Sequence, residues 1–378
     1  NKHILFGHHF TSIAGAAPII GPCIAIYWGW LPAILWVVLG TIFMGAVHDF
    51  GALVLSLKEK GKSIADISSK VINKQTRILF LIFVMFLTWL VLAVFANFIA
   101  YLFVEYKEAV LPINIEIIIA MIIGYFIYKK KMDAFIPSII ALAVLYLFVW
   151  IGSSNPIDLT DIGISNAKYT WIILLFIYSA IASLMPVWIL LQPRDYINSH
   201  QLIVGLGLIY LSIFIIQPEI TVPATAHLTD TEKPIIPLLF VTIACGAISG
   251  FHGLVSSGTT SKQVNKMKDA RMIGYGATLG EGSLAVATII AIISGFALTE
   301  NNLNWHGHQH FPNGIEAVKI FINGGSALLN QMNIPIEFSK TLIVVLVVSF
   351  AATTLDSATR IQRYVVTEFG SATKIKFL

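Results

Sequence analysis

His9-Phe-Thr-Ser-Ile-Ala-Gly15-Ala-Ala-Pro18-Ile-Ile-Gly21-Pro22 is an apolar stretch that does not read as one unbroken helix. Gly15, Pro18, Gly21 and Pro22 fall within eight residues. Each proline removes a backbone donor and crowds the turn before it. The stretch is therefore expected to unwind near its middle. Unwound backbone at membrane depth is tolerated only against protein or a water-filled cavity.

The rest of the chain says that the surrounding medium is lipid. Of 378 residues, 57% are hydrophobic and 12% charged; a soluble domain carries about 25% charged residues. Mean hydropathy is +0.81. A water-soluble fold has no place to hide 24 Phe and eight Trp on this scale. The net charge of +4 is scattered in short stretches between apolar runs, which argues against a nucleic-acid partner. Cys23 and Cys245 each lie inside an apolar segment. They are too few for a disulfide framework and lack zinc-finger spacing, so they read as buried thiols. No cleavable signal peptide is visible. The chain lacks an initiator Met, and its natural start is expected to lie upstream.

A spanning helix needs about 20 predominantly apolar residues. Ten segments qualify: 8–27, 30–57, 77–104, 111–129, 133–152, 169–191, 201–217, 236–258, 271–298 and 338–356. The loops between them alternate without a break between basic-rich and basic-poor. Only Lys107, Lys168, Lys233, Lys319 and Lys340 fall on the basic-poor side; the other nineteen of the 24 Lys and Arg fall on the opposite one. The positive-inside rule makes that richer side cytoplasmic. Span one then runs outward and span six inward. The expected fold is an all-α polytopic membrane protein. It forms a single transmembrane domain, 1–378, of two inverted fives, about 8–152 and 169–356, as in inverted-repeat transporters.

Span six contains the expected counterpart of the first break, Ser183-Leu-Met185-Pro186-Val-Trp188. Interrupted segments in the two halves point to a substrate site; the alternative is a pair of kinked helices without a ligand. The predicted substrate-binding residues are Gly15, Ala16, Ala17, Pro18, Met185, Pro186, Trp188 and His252. Span eight, around Gly246, Ser249, Gly250 and Gly253, carries a hydroxyl cluster near its cytoplasmic end. Carbonyls of an unwound helix with such hydroxyls suit a hard cation such as sodium. Alternatively, the hydroxyls bond back to their own helix.

A charge at the bilayer centre costs about 2.5–3.5 kcal/mol on insertion scales, so each intramembrane carboxylate is a candidate functional group. Glu281 lies near the middle of span nine, flanked by Gly274, Gly276, Gly280 and Gly282. It is the candidate carrier of a coupling proton, with a structural partner to a buried Arg or backbone group as the alternative. Asp49, beside His48, is the second coupling candidate. Asp356, near Arg360, and His252 also admit structural readings: an ion pair and a satisfied core histidine. The outer loop holds His306-Gly-His308-Gln-His310, either a metal chelate or a solvated loop.

Five longer motifs resemble the carbon starvation protein A family. They are Gly7-His8-His9-Phe10 through Pro22; Trp28-Gly-Trp-Leu-Pro32 with Gly45-Ala-Val-His-Asp49-Phe; Pro186-Val-Trp-Ile-Leu-Leu-Gln-Pro193-Arg-Asp-Tyr196; Ile243 through Thr260; and Thr353-Thr-Leu-Asp356-Ser-Ala-Thr-Arg360-Ile-Gln-Arg363-Tyr. The resemblance implies a multi-pass protein of the bacterial or archaeal cell (inner) membrane that takes up peptides, or pyruvate, when carbon is short. It also implies the five-plus-five fold of the amino acid–polyamine–organocation superfamily, with broken first and sixth core helices. A sodium site between core helices one and eight would then use Ala14 with Ser256, Ser257 or Thr259; a proton is the other coupling ion. Family members usually have a helix before the Gly7 motif, and many have further spans. Ala17 stands where the family usually has Gly.

The expected function is thus secondary active import, with no enzymatic step and no cofactor beyond a coupling Na+ or H+. A membrane redox subunit using His48 and His252, a passive channel and an intramembrane hydrolase are the rivals. The hydrolase lacks a nucleophile–base constellation. Oligomeric state has no signal in the sequence.

Overall fold

A computed structural model describes residues 2–298 and 311–373. The His306–His310 loop lies outside them. Every regular element among the described residues is helical. Among the described residues, eight helices are long and apolar enough to cross a membrane, or nine when one bent pair is counted as a span. The protein is accordingly a multi-pass membrane protein.

The bent pair is the opening stretch. Helix α1 (Lys2–Ile13) and helix α2 (Ala17–Ala25) meet at 47° across Ala14–Ala16. Pro18 falls in the first turn of α2, where its missing N–H leaves no bond unmade. The chain then forms α3 (Trp30–Gly40) and α4 (Ala46–Lys58), joined through a π-turn at Thr41–Gly45. The short α5 (Ile64–Val71) starts at Ser63, whose hydroxyl accepts from Asp66 N at 3.2 Å. The long α6 (Lys74–Glu105) starts at Asn73, whose side chain accepts from Thr76 N at 2.8 Å. Four further spans follow: α7 (Val110–Tyr128), α8 (Phe135–Ser154), α9 (Ala167–Leu184) and α10 (Leu191–Ile216).

The expected span 236–258 is divided into α11 (Ile235–Thr242), α12 (Ala244–Ala247) and α13 (Gly250–Gly258). Its break is extended backbone at Ile248 (φ −152°, ψ 90°) and Ser249 (φ −101°, ψ 125°). Beyond it lie a π-turn at Arg271–Tyr275, α14 (Gly276–Leu298), α15 (Gly314–Gln331) and α16 (Ile336–Thr373). The connection 299–337 therefore contains a helix that hydropathy does not reveal. A reciprocal cap starts α15: Asn313 Oδ1 accepts from Glu316 N at 3.1 Å, and Glu316 Oε2 accepts from Asn313 N at 3.0 Å.

The expected break in span six needs correction. Met185 to Leu190 connect α9 to α10, so Pro186 ends a span instead of interrupting one. The interruption that faces α1–α2 is the one at Ile248–Ser249. Helices α11 and α12 pack on α2, and α13 packs on α1 and α4, so the two broken segments lie antiparallel. Their backbones touch closely. A Cβ on Gly21 would sit 2.4 Å from Thr242 O, and one on Gly45 2.0 Å from Ala247 O. Only glycine permits this approach. The order broken span, helix with a π-turn, short helix, long helix occurs twice, over 2–105 and again over 235–373.

Candidate functional site: two buried ionic networks around the broken helices

Asp49, His252 and Glu281 converge from α4, α13 and α14. Their exposures are 0%, 1% and 1%. His252 Nδ1 is 2.7 Å from Asp49 Oδ2, and Thr278 donates to the same oxygen at 2.6 Å. His48 Nδ1 meets the other Asp49 oxygen at 2.9 Å. His252 Nε2 approaches Glu281 Oε2 at 3.1 Å, close enough for an ion pair but angled away from a hydrogen bond. Glu281 Oε1 is buried without a partner. Two carboxylates around one imidazole leave an excess negative charge even when His252 is protonated. Low-dielectric surroundings make that excess expensive.

Glu281 thus pairs with a histidine, not with an Arg or a backbone group. Asp49 is the hub, taking bonds from both His48 and His252. His9 stands behind them, fully buried, with Nδ1 2.9 Å from Thr260 Oγ1 and Nε2 without a partner.

A second network joins α7, α10 and α16. Arg194 on α10 donates from Nε to Glu116 Oε1 at 2.9 Å and from Nη1 to Asp356 Oδ2 at 2.8 Å. Tyr178 shares Asp356 Oδ2 at 3.0 Å, and Ser349 donates to Glu116 Oε2 at 2.9 Å. Asp356 therefore pairs with Arg194 and not with Arg360, which donates to the carbonyls of Ala182 and Met185. The sequence reading missed Glu116 and placed Arg194 in a loop. The available signal was a lone carboxylate inside the apolar run Val110–Tyr128, which needs a cation.

The predicted substrate residues separate into two groups. Gly15, Ala16, Ala17 and Pro18, beside the expected cation donor Ala14, form or adjoin the first break. A Cβ on Gly15 would meet Thr354 Oγ1 of α16 at 2.7 Å, and Pro18 faces Gly246. Ala16 and Ala17 also line an open apolar recess of about 350 Å³ with Ile20, Phe95 and Phe98. His252 joins them through α13, which packs on α1. Pro186 and Trp188 do not join them: Pro186 is exposed, and Trp188 packs on Tyr128 near Lys129. Met185 contributes only its carbonyl, to Arg360.

Of the expected cation donors, Ser257 and Thr259 donate to Gly253 O and Val255 O, each at 2.9 Å, in their own helix. Ser256 Oγ is buried without a partner. Among the described residues, no group of three or more His, Cys, Asp or Glu has a metal-binding arrangement.

The end at Tyr27 and Trp28 is covered, and the basic end holds two cavities. Tyr27 donates to Asp230 at 2.5 Å and stacks on His227 at 4.4 Å, while Trp28 donates to Lys233 O at 2.9 Å. At the basic end, one cavity of about 440 Å³ is lined by Lys2, His3, Gln263, Lys266 and Asp269, and another of about 790 Å³ by Phe6, Tyr128, Asp133, Tyr196 and His200.

With this geometry in hand, comparison with known proteins is direct. The family model described as carbon starvation protein CstA matches residues 1–304. The chain belongs to this family. A CstA-family protein of Campylobacter jejuni, named peptide transporter CstA, is 35% identical over 298 residues, covering 77% of this chain and 42% of that one. The Escherichia coli pyruvate/proton symporter BtsT is 35% identical over 336 residues, covering 82% of this chain and 46% of that one. The Bacillus subtilis peptide transporter CstA is 33% identical over 298 residues, covering 77% and 49%. The chain thus spans less than half the length of these CstA-family relatives. No solved structure matches it.

Proposed function

We propose that this CstA-family chain forms the transport core of a secondary importer of peptides or of small carboxylates such as pyruvate, driven by a proton gradient. The observation that carries the reading is the buried Asp49–His252–Glu281 triad beside two antiparallel broken helices. A triad with room for one extra proton gives a binding reaction that exchanges charge with each side of the membrane. Its members sit on three separate helices, so gaining or losing that proton changes how α4, α13 and α14 hold together. This couples protonation to movement without an enzymatic step.

In this reading, substrate binds against the unwound Ala14–Pro18 segment, and the apolar recess at Ala16 and Ala17 takes its hydrocarbon part. The relatives' names, peptide transporter and pyruvate/proton symporter, support both the substrate classes and the ion. The repeated element order favours pairing 2–105 with 235–373 as inverted repeats, with α7–α10 between them. The covered end at Tyr27 and Trp28 and the cavities at the basic end correspond to a cytoplasm-facing state.

The test is uptake of labelled pyruvate, dipeptides and amino acids into liposomes under imposed proton or sodium gradients. Accumulation of pyruvate or a dipeptide driven by protons supports the reading. Accumulation driven only by sodium moves the coupling site to Ala14 and Ser256. No movement of either substrate class overturns it.

A further inference from the structure

His8 and Asp195 are buried in contact with each other, on α1 and α10, and take no part in the triad above. A line of hydrogen bonds runs to them from the basic end. Tyr128 donates to Gln192 Oε1, and Gln192 Nε2 donates to Gln263 Oε1. Gln263 Nε2 lies 3.4 Å from His8 Nε2, and His8 Nδ1 touches Asp195 Oδ2.

The sense of this line follows from one backbone atom. Gln263 Nε2 also meets Thr259 O at 3.1 Å. A carbonyl only accepts, so the amide nitrogen of Gln263 must face it. That nitrogen only donates, so His8 Nε2 must accept. The ring proton of neutral His8 is therefore on Nδ1, donated to Asp195. An imidazolium would place a second N–H against the Gln263 amine, donor to donor. His8 protonation thus requires Gln263 to leave. Its way out is the cavity of about 440 Å³ that it lines, at the basic end of the protein.

We propose that His8 and Asp195 form a second proton-binding site, gated from the cytoplasm by Gln263. The proposal rests on the transport reading only for its role in coupling. When Gln263 swings into the cavity, His8 Nε2 takes a proton from hydronium, leaving water, and the Nδ1 proton passes to Asp195. The imidazole ends as the Nε2–H tautomer beside a neutral carboxyl; one proton enters and one is stored. Return of the ring to its first tautomer releases it. The amide then blocks Nε2 again.

Other charged groups frame this site. Arg194 follows on α10, with Glu116 of α7 and Asp356 of α16 bonded to it. His9 is the neighbour on α1, with Asp49, His252 and Glu281 beyond it. Ser12 reaches Asp195 at 3.5 Å. Lys262 is occupied by the Tyr364 ring at 4.3 Å, and Arg271 on the π-turn is exposed. The His8–Asp195 contact thus adjoins Arg194 along α10 and, through His9 along α1, the triad.

The test is 15N-histidine solid-state NMR of the full chain in lipid bilayers, with His8 assigned by loss of its signal in His8→Gln. Nitrogen shifts distinguish the two neutral tautomers from the imidazolium. The wild type is expected to show His8 as the Nδ1–H tautomer near neutral pH. Gln263→Glu replaces the donor with an acceptor and should raise the His8 midpoint by about one pH unit or more, a tenfold change in proton affinity. Gln263→Leu removes the donor and should raise it less. An Nε2–H tautomer in the wild type near neutral pH, or one midpoint shared by all three proteins, overturns the proposal. In liposomes, the pH profile of proton-driven uptake should move with the His8 midpoint. A fixed profile beside a moving midpoint overturns the gating role. A wild type that transports nothing overturns the transport reading and leaves the NMR arm to decide the site.

Discussion

His252 Nε2 lies 3.1 Å from Glu281 Oε2, at a depth where neither side chain exceeds 1% exposure. The same imidazole holds Asp49 through its other nitrogen at 2.7 Å. One ring therefore links α4, α13 and α14, and its charge decides how tightly they bind.

Glu281→Gln keeps a similar shape and removes the ionisable proton. Proton-driven accumulation is expected to fall at least about tenfold, roughly 1.4 kcal/mol or more of lost coupling. Exchange of labelled for unlabelled substrate, which needs no gradient, should persist. Equal loss of both activities would point to a structural role.

Replacing His252 by Ala leaves two buried carboxylates without a cation. Breaking a buried pair in this way costs about 3–5 kcal/mol. Thermal unfolding in detergent should shift down by several degrees. Adding Glu281→Gln and Asp49→Asn should recover part of the loss, because the uncompensated charges then disappear.

Arg194→Met should act in the same manner on the second network, through Glu116 and Asp356. Arg194→Lys should rescue it poorly. A single ammonium does not reproduce the forked donation from Nε and Nη1 to two carboxylates. Expression level and unfolding temperature of the three proteins check this.

Gly45→Ala and Gly21→Ala test the packing of the broken segments. Each new methyl would press on a backbone carbonyl, of Ala247 or Thr242. Both variants should lose folded yield or transport. Gly51→Ala is the control, since nothing lies within 4 Å of its Cβ position.

The outer cover gives a pH prediction. Asp230 lies outside the spans, and the hydrogen bond from Tyr27, with backbone donors at Lys233 and Glu232, holds its carboxyl below the usual value. A depressed carboxylate contributes stability that is present above the ordinary value, about 3.9. That stability is lost as pH falls through the depressed one. Hydrogen exchange of 218–234, corrected for intrinsic rate, should therefore be flat from pH 5 to 8. Tyr27→Phe should raise exchange throughout that range.

Several features were legible because lipid imposes them locally. Hydropathy located most of the spans: ten were expected, and among the described residues eight helices and one bent pair are long and apolar enough. Gly15 and Pro18 marked the first interruption; the second, at Ile248–Ser249, was not anticipated, although small residues surround it. Pro186 misled: at a span's end a proline is harmless, and sequence alone does not distinguish an end from a middle. Helix α15 was missed because its hydropathy is low, although Asn313 and Glu316 have the spacing of a reciprocal cap.

By itself, the sequence determined a helical membrane protein with a helix built to break near Gly15, because each of these properties depends on residues within one span. The partners of Asp49 were decided only by the tertiary structure. His252 and Thr278 lie 203 and 229 residues away in the chain. No periodicity or spacing connects them; close packing of α4, α13 and α14 does. The same holds for Arg194, whose two carboxylates come from α7 and α16. A buried charge announces that it needs a partner, and only the folded chain chooses which one.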